Sequence, residues 1–300
     1  MKKIIRSFLK KFGYDIIKTG DWYASKSGQV KKIRIANFEI SMPGNNTLLR
    51  TYGMYPDFNS ILGRLAVAIS KKYPGMTVVD IGANVGDTIA IIKSAVETPI
   101  IGIEGDDTSF QFLQENTRQF KDVTIIKTFV GDKRQEIKAE VDQAGTNNTI
   151  VPSEKGDTTI SVKTLDELMS GQPFNATIIK LLKLDIEGFD TKALRGSYTV
   201  IKKSSPVLFF EYNPLYMKKM SEDGLGTVFS FAEYGYKKVA FFDHKGNLLL
   251  VTSIQNKEEI SSIHNYALLK DNELGHYDIC LFHQSDDELA ANFLEAEGKR

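Results

Sequence analysis

Hydrophobic residues in the central part of the chain come in short unbroken runs, separated by stretches in which they recur at helical spacing. Thr77–Ile81 is such a run, introduced by the turn pair Pro74-Gly75, and predicts a first strand. A helix over Asp87–Val96 follows, and Ile100–Glu104 predicts a second strand. Phe110, Leu113 and Thr117 share one face of a helix expected between Asp106 and Phe120, and Val123–Val130 predicts a third strand. Strand alternating with helix points to a parallel sheet covered on both faces, because parallel neighbours need a crossover connection between them.

The rhythm stops between Gly131 and Leu168. This stretch is polar, holds the loop Gly145-Thr146-Asn147-Asn148-Thr149 and is rich in turn formers from Ser153 to Asp157, so an elaborated loop is expected. Ile178–Asp185 resumes the core as a fourth strand, a helix follows Gly188, and Pro206–Tyr212 makes a fifth strand. Further on, Lys237–Asp243 and Leu248–Thr252 flank Asp243-His244-Lys245-Gly246-Asn247 as a hairpin, and Tyr277–His283 is a last strand. Strands without intervening helices imply an antiparallel edge, and Asp286–Arg300 reads as a helix or a frayed tail. The first twenty residues place Ile4, Ile5, Phe8, Leu9 and Phe12 at helical spacing, with Lys10 and Lys11 interrupting any membrane-length run. A basic amphipathic helix packed on its own domain is expected there, with peripheral contact to an anionic membrane surface as the alternative. The organisation expected is an N-terminal extension over 1–54, one main domain over 55–285 and a C-terminal tail over 286–300.

Composition narrows the function more than the fold. Lysine plus arginine and aspartate plus glutamate number 38 each, which removes net charge as a means of holding a nucleic acid. Cys280 is the sole cysteine, so an intrachain disulfide and a multi-cysteine metal site are excluded, and a reducing, cytoplasmic setting is expected. His244, His264, His276 and His283 show no metal spacing in the sequence, and no metal is expected.

The chemistry concentrates at strand ends. In Asp80-Ile-Gly82-Ala-Asn84-Val-Gly86 the glycines permit backbone angles and a close ligand approach at the first strand-to-helix turn. Asp80 would repel a pyrophosphate and attract the ammonium of a methionine moiety. Glu104 ends the second strand at the offset where a carboxylate accepts ribose hydroxyls, and Gly131 and Asp132 follow the third strand, where Asp132 would accept an adenine amine. Together these residues point to S-adenosyl-L-methionine. At the end of the fourth strand, Asp185 and Glu187 are two residues apart and are expected on one side with Ile186 opposite. Asp185, Glu187 and, in reserve, Glu211 at the end of the fifth strand are candidates for the base that accepts a hydroxyl proton, and Asp185 also for contact with the cofactor. Tyr212-Asn-Pro-Leu-Tyr216 and the Gly145–Thr149 loop are candidates for an acceptor pocket, and Tyr52, Tyr55 and Phe58 for a cover over the cofactor.

Val78-Val-Asp-Ile-Gly-Ala-Asn-Val-Gly-Asp87 and Leu184-Asp-Ile-Glu-Gly-Phe-Asp190, followed by Ala193-Leu-Arg-Gly196, resemble the FkbM-type methyltransferases. Phe189-Asp190 departs from the Tyr-Glu or Trp-Glu often seen at that point of the family. The resemblance implies a Rossmann-like class I methyltransferase fold: a mostly parallel seven-stranded sheet with an antiparallel C-terminal edge strand, here with an N-terminal helical extension. It also implies S-adenosyl-L-methionine as cofactor and O-methylation of a hydroxyl on a sugar, glycan or secondary metabolite, and it carries binding roles onto Asp80, Gly82, Asn84, Gly86, Glu104 and Asp132. Two rival readings are an NAD-linked or nucleotide-sugar oxidoreductase, which should show Gly-x-Gly-x-x-Gly and no acid at position 80, and a non-catalytic cofactor-binding subunit.

Overall fold

The structure, a computed structural model, describes residues 29–142, 149–153, 156–171, 174–269 and 275–300. The basic helix expected in the first twenty residues and most of the Gly145–Thr149 loop lie outside the described residues. The described chain begins with a hairpin, β1 (Val30–Ile35) and β2 (Phe38–Pro43), then α1 (Leu48–Met54) and α2 (Ser60–Lys72). The central alternation follows: β3 (Thr77–Ile81), α3 (Asp87–Ala95), β4 (Ile100–Glu104), α4 (Asp107–Thr117) and β5 (Val123–Lys127). Next come β6 (Phe129–Val130), β7 (Gln135–Asp142), β8 (Thr149–Pro152), β9 (Thr158–Lys163), α5 (Leu165–Met169), β10 (Ile179–Leu184), α6 (Asp190–Arg195), α7 (Tyr198–Ser204) and β11 (Val207–Tyr212). The chain ends with α8 (Pro214–Lys219), α9 (Gly224–Ser230), β12 (Tyr236–Asp243), β13 (Leu248–Ser253), α10 (Lys257–Ala267), β14 (Tyr277–His283) and α11 (Asp287–Glu297).

The main sheet has the order β13-β12-β14-β11-β10-β3-β4-β5. From β5 to β11 every pairing is parallel, whereas β14 is antiparallel to both β11 and β12. This is the Rossmann-like class I arrangement: six strands running one way and one reversed strand inserted among them. Two details differ from expectation. The sheet has eight strands rather than seven, and besides the antiparallel edge strand β13 a second reversed strand, β14, is inserted between β11 and β12. Burial explains the order. Val239 and Phe241 of β12 point into the core on one face, Ala240 and Phe242 into the core on the other, so β12 needs a neighbour on each side. β13 alternates half-buried with exposed residues and tolerates the edge.

Helices cover both faces. One layer packs α5, α6, α7, α9 and α10 against Val79, Ile81, Leu182, Leu184 and Phe210. The other packs α2, α3, α4 and α11 against Val78, Leu181, Phe209 and Cys280, and Cys280 is fully buried there. The last helix is docked, with Leu289, Ala290, Phe293 and Leu294 in that core and Arg64 gripping Glu297 through two bonds of 2.7 Å. Among the described residues no helix is long and apolar enough to cross a membrane.

Two further expectations are corrected. The third strand ends at Lys127; Phe129–Val130 leave the main sheet and pair in parallel with β9. The stretch from Gly131 onward is not an elaborated loop but holds most of a second sheet, ordered β6-β9-β7-β8. The stretch resembles a loop with a polar strand-like piece in it because the outward positions of its strands are polar: in β9, Ile160 and Val162 point inward while Thr159 and Ser161 face water.

Candidate active site

The loops at the carboxyl ends of β3, β4, β10 and β11 open onto one cavity of about 750 Å³. The second sheet supplies one wall through Gln135, Ile137, Ile160 and Val162, and Tyr55 and Phe58, between α1 and α2, also border it. Tyr52 does not reach the cavity; it is buried, and its hydroxyl donates to Asp87 Oδ2 at 2.7 Å, tying α1 to the start of α3. Burial pushes the Asp87 carboxyl up, against the opposing pull of that hydrogen bond and of Lys183.

The turn after β3 is held by backbone geometry. Gly82 has φ +76°, and a methyl group in its place would stand 2.0 Å from the carbonyl oxygen of Asp185. The glycine is therefore required first by the neighbouring strand end, and only then by any ligand. Gly82 and Asn84 border the cavity. Gly86 does not; at φ +88° it starts α3, and a methyl there would press on Leu113 Cδ1 at 3.1 Å.

Glu104, at the end of β4, faces this turn. The N–H of Asn84 donates to its Oε2 and that of Asp106 to its Oε1, both at 2.8 Å. Burial raises the carboxyl above the ordinary glutamate value while these donors, joined by the Gly105 N–H, pull it back, and Glu104 borders the cavity. Gly131 and Asp132 border the cavity beyond β6, where Asp132 Oδ2 lies 3.5 Å from Arg195, an arginine held chiefly by Glu222.

Asp80 departs from the sequence reading. It is 0% exposed and does not border the cavity. Strand register sets Lys183 directly across from it, and Lys183 Nζ pairs with Asp80 Oδ1 at 2.9 Å while also donating to the Gly82 carbonyl at 2.9 Å. The Thr88 hydroxyl donates to the other carboxylate oxygen. Asp80 is thus the buried counter-ion of a lysine, not a group aimed at an incoming ammonium. Burial alone would lower Lys183, but the charges of Asp80, Asp185 and Asp87 more than reverse this and keep the ammonium charged.

Asp185, Glu187 and Glu211 all border the cavity. Ile186 borders it too, contrary to the expected alternation, because β10 ends at Leu184 and the chain turns through Glu187 at φ 54° and Gly188 at φ 88°. Asp190, 0% exposed, holds that turn by accepting the N–H groups of Ile186 at 3.1 Å and Gly188 at 3.2 Å. Burial, and next the charge of Asp185, push Asp190 up to about 7. Glu211 is driven well above the carboxylate range by burial and then by Asp185, Asp190, Glu187 and Asp278. Asn213 Nδ2 donates to its Oε1 at 3.5 Å.

Tyr212 does not serve a pocket: it is fully buried, with its hydroxyl 2.9 Å from His264 Nδ1, whereas Asn213 and Tyr216 border the cavity. The histidines that look scattered in sequence are partly gathered by the fold. His244 and His276 border the cavity with ring centroids 5.9 Å apart, while His283 sits 2.8 Å from Ser285 Oγ at the opposite end of β14. The sequence carries no local signal for this, since it is the non-local pairing of β12 with β14 that sets the residues flanking Asp243 and Tyr277 side by side. Among the described residues no group of three or more His, Cys, Asp or Glu side chains is arranged to hold a metal ion.

A reversed strand inserted in an otherwise parallel sheet, a glycine turn after β3 and a strand-end glutamate facing it define a class I methyltransferase architecture. The chain belongs to the FkbM methyltransferase family: residues 80–238, more than half its length, match the family described as the methyltransferase FkbM domain. Among solved structures it is similar to a methyltransferase FkbM from Methylobacillus flagellatus KT, with 22% identity over 46% of this chain and a TM-score of 0.33. The match spans only 32% of that protein's chain. It is similar also to the METTL16 MTase domain (11% identity, 83% of this chain and 74% of that one, TM-score 0.43) and to M. jannaschii TYW2 in complex with AdoMet (12% identity, 86% of each chain, TM-score 0.38). At these scores the assignment rests on the family match and not on the structural likenesses. A comparison with curated proteins found no match.

Proposed function

We propose that this protein transfers a methyl group from S-adenosyl-L-methionine to a hydroxyl on a sugar, a glycan or a secondary metabolite. The observation that carries this reading is Glu104, whose two oxygens are pinned by the Asn84 and Asp106 N–H groups so that the carboxylate is held at the cavity wall to accept ribose hydroxyls. The donor set fits the cofactor elsewhere as well. Asp132, Gly82, Asn84 and Asp185 all border the cavity: in this reading Asp132 accepts the adenine amine, Gly82 and Asn84 make backbone contact, and Asp185 meets the cationic methionine end in place of the buried Asp80.

When bound, S-adenosyl-L-methionine supplies an electrophilic methyl group, so the protein has to align an oxygen with it and remove a proton. Lys183 and Asp190 hold the β3 and β10 turns in register, which fixes Asp185 and Glu187 relative to Glu104. Asn213 and Tyr216 lie at the β11 end, where an acceptor ring can be hydrogen-bonded and stacked. A cytoplasmic, reducing setting suits a chain whose only cysteine is buried.

Calorimetry with S-adenosyl-L-methionine, S-adenosylhomocysteine and NAD, followed by transfer of labelled methyl into a glycan and metabolite extract, tests the reading. Binding of the first two ligands but not NAD, and label in a product lost in Glu104→Ala, are expected. NAD binding in their place would point to an oxidoreductase, and cofactor binding with no transfer to a non-catalytic subunit.

A further inference from the structure

The ionisable residues at the carboxyl end of the main sheet are brought together by strand register. Lys183 lies across from Asp80, and Asp185, just past the end of β10, borders the cavity. On the next strands Glu211 lies directly opposite Asp278. His276 immediately precedes β14 and borders the cavity, and the pairing of Asp243 with Tyr277 brings His244 beside it. Tyr55 meets the His244 ring edge-on at 6.4 Å, and Lys245 Nζ sits 5.3 Å above the Tyr55 ring.

His276 is half-buried at the cavity wall, with the His244 ring centroid at 5.9 Å and Asp185 bordering the same cavity. We propose that His276 is the catalytic base that takes the proton from the acceptor hydroxyl, with Asp185 stabilising the imidazolium as it forms; the proposal rests on the methyl-transfer reading above. In the step, an oxygen lone pair forms the O–CH₃ bond and the S–CH₃ bond breaks. Its electron pair returns to sulfur, giving the neutral thioether, and the hydroxyl proton passes to a ring nitrogen of His276 and from there to solvent.

Three features favour the imidazole over the carboxylates. Burial and the surrounding acids raise Glu211 well above the ordinary carboxylate value, which disfavours the ionised form a base must start from. An imidazole with an ordinary value near 6.5 holds a proton roughly a hundredfold more tightly than a carboxylate near 4, which matches it better to base catalysis at neutral pH. Burial then lowers His276, only partly opposed by Asp185 and reinforced by His244, so its lone pair is free at pH 7.

The test compares wild type with His276→Gln, His276→Asn and His244→Asn, following labelled methyl transfer into the extract between pH 5.5 and 9.5, with S-adenosyl-L-methionine affinity measured for each. His276→Gln is expected to lose about 10²- to 10⁴-fold in turnover with cofactor affinity unchanged within about twofold, and its residual rate should climb with pH past the point where wild type levels off. In parallel, ring-proton NMR should show His276 titrating below 6.5 in wild type and lower still in Asp185→Asn. Turnover in both His276 variants within about threefold of wild type would overturn the proposal. So would a loss mirrored by lost cofactor affinity, which marks a structural role. A wild-type protein that transfers no methyl would instead defeat the methyltransferase reading itself.

Discussion

Asp190 offers a sharp test of the electrostatics under the β10 turn. Its carboxyl is sealed from water and accepts two backbone N–H groups, and burial and then Asp185 displace it from an ordinary 3.8 to about 7. The folded state therefore binds this proton more tightly than the unfolded chain does. The associated stability is complete below pH 3.8 and is lost as the pH rises through about 7, a total of about 4 kcal/mol from the full displacement. Asp190→Asn keeps the shape of the protonated acid and cannot ionise. Its amide nitrogen cannot accept the second N–H, a pH-independent cost of about 1–3 kcal/mol, and on top of that constant offset its stability relative to wild type should rise by about 2–3 kcal/mol between pH 5 and pH 8. Urea unfolding of both proteins followed by circular dichroism across that range measures the gap directly. A difference that stays constant, or one that shifts in favour of wild type as the pH rises, would refute the assigned cause.

Other outcomes follow from the same geometry. Glu104→Ala removes the acceptor of two buried N–H groups and the ribose contact, so S-adenosyl-L-methionine affinity should fall at least about tenfold by calorimetry. Gly82→Ala forces a methyl into the Asp185 carbonyl oxygen at a positive φ, and a loss of more than about 2 kcal/mol in urea unfolding is expected, with the cofactor turn disturbed. Lys183→Met leaves Asp80 buried without its cation and should cost about 3–5 kcal/mol, of which Lys183→Met with Asp80→Asn recovers part. Tyr52→Phe removes one hydrogen bond to Asp87 and should cost about 1–2 kcal/mol while leaving the fold intact by circular dichroism.

Much of the parallel core was legible in the chain because it is encoded locally. Thr77–Ile81 and Ile100–Glu104 are unbroken apolar runs closed by turn residues, and the structure has strands with those bounds. The glycine turn, Glu104 and the Asp185–Asp190 segment were legible for the same reason, since each is a short pattern at a strand end. What escaped was non-local. The second sheet carries polar outward residues that mimic a loop, and its small apolar cluster of Ala139, Ile160 and Val162 exists only once β7 and β9 pair.

By itself the sequence determined the class of the fold, the family and the strand-end carboxylates, because these depend on periodicity, on turn chemistry and on residues close together in the chain. The tertiary structure decided what those residues face. Register turned Asp80 from a ligand contact into the buried partner of Lys183, and a turn at positive φ replaced the expected alternation of Asp185 and Glu187. It was also register that brought His276, His244 and Asp185 to one cavity from three separate segments. Burial and Coulomb interactions act through space, so a carboxyl at position 80, 190 or 211 acquires its chemistry only when the strands beside it are in place.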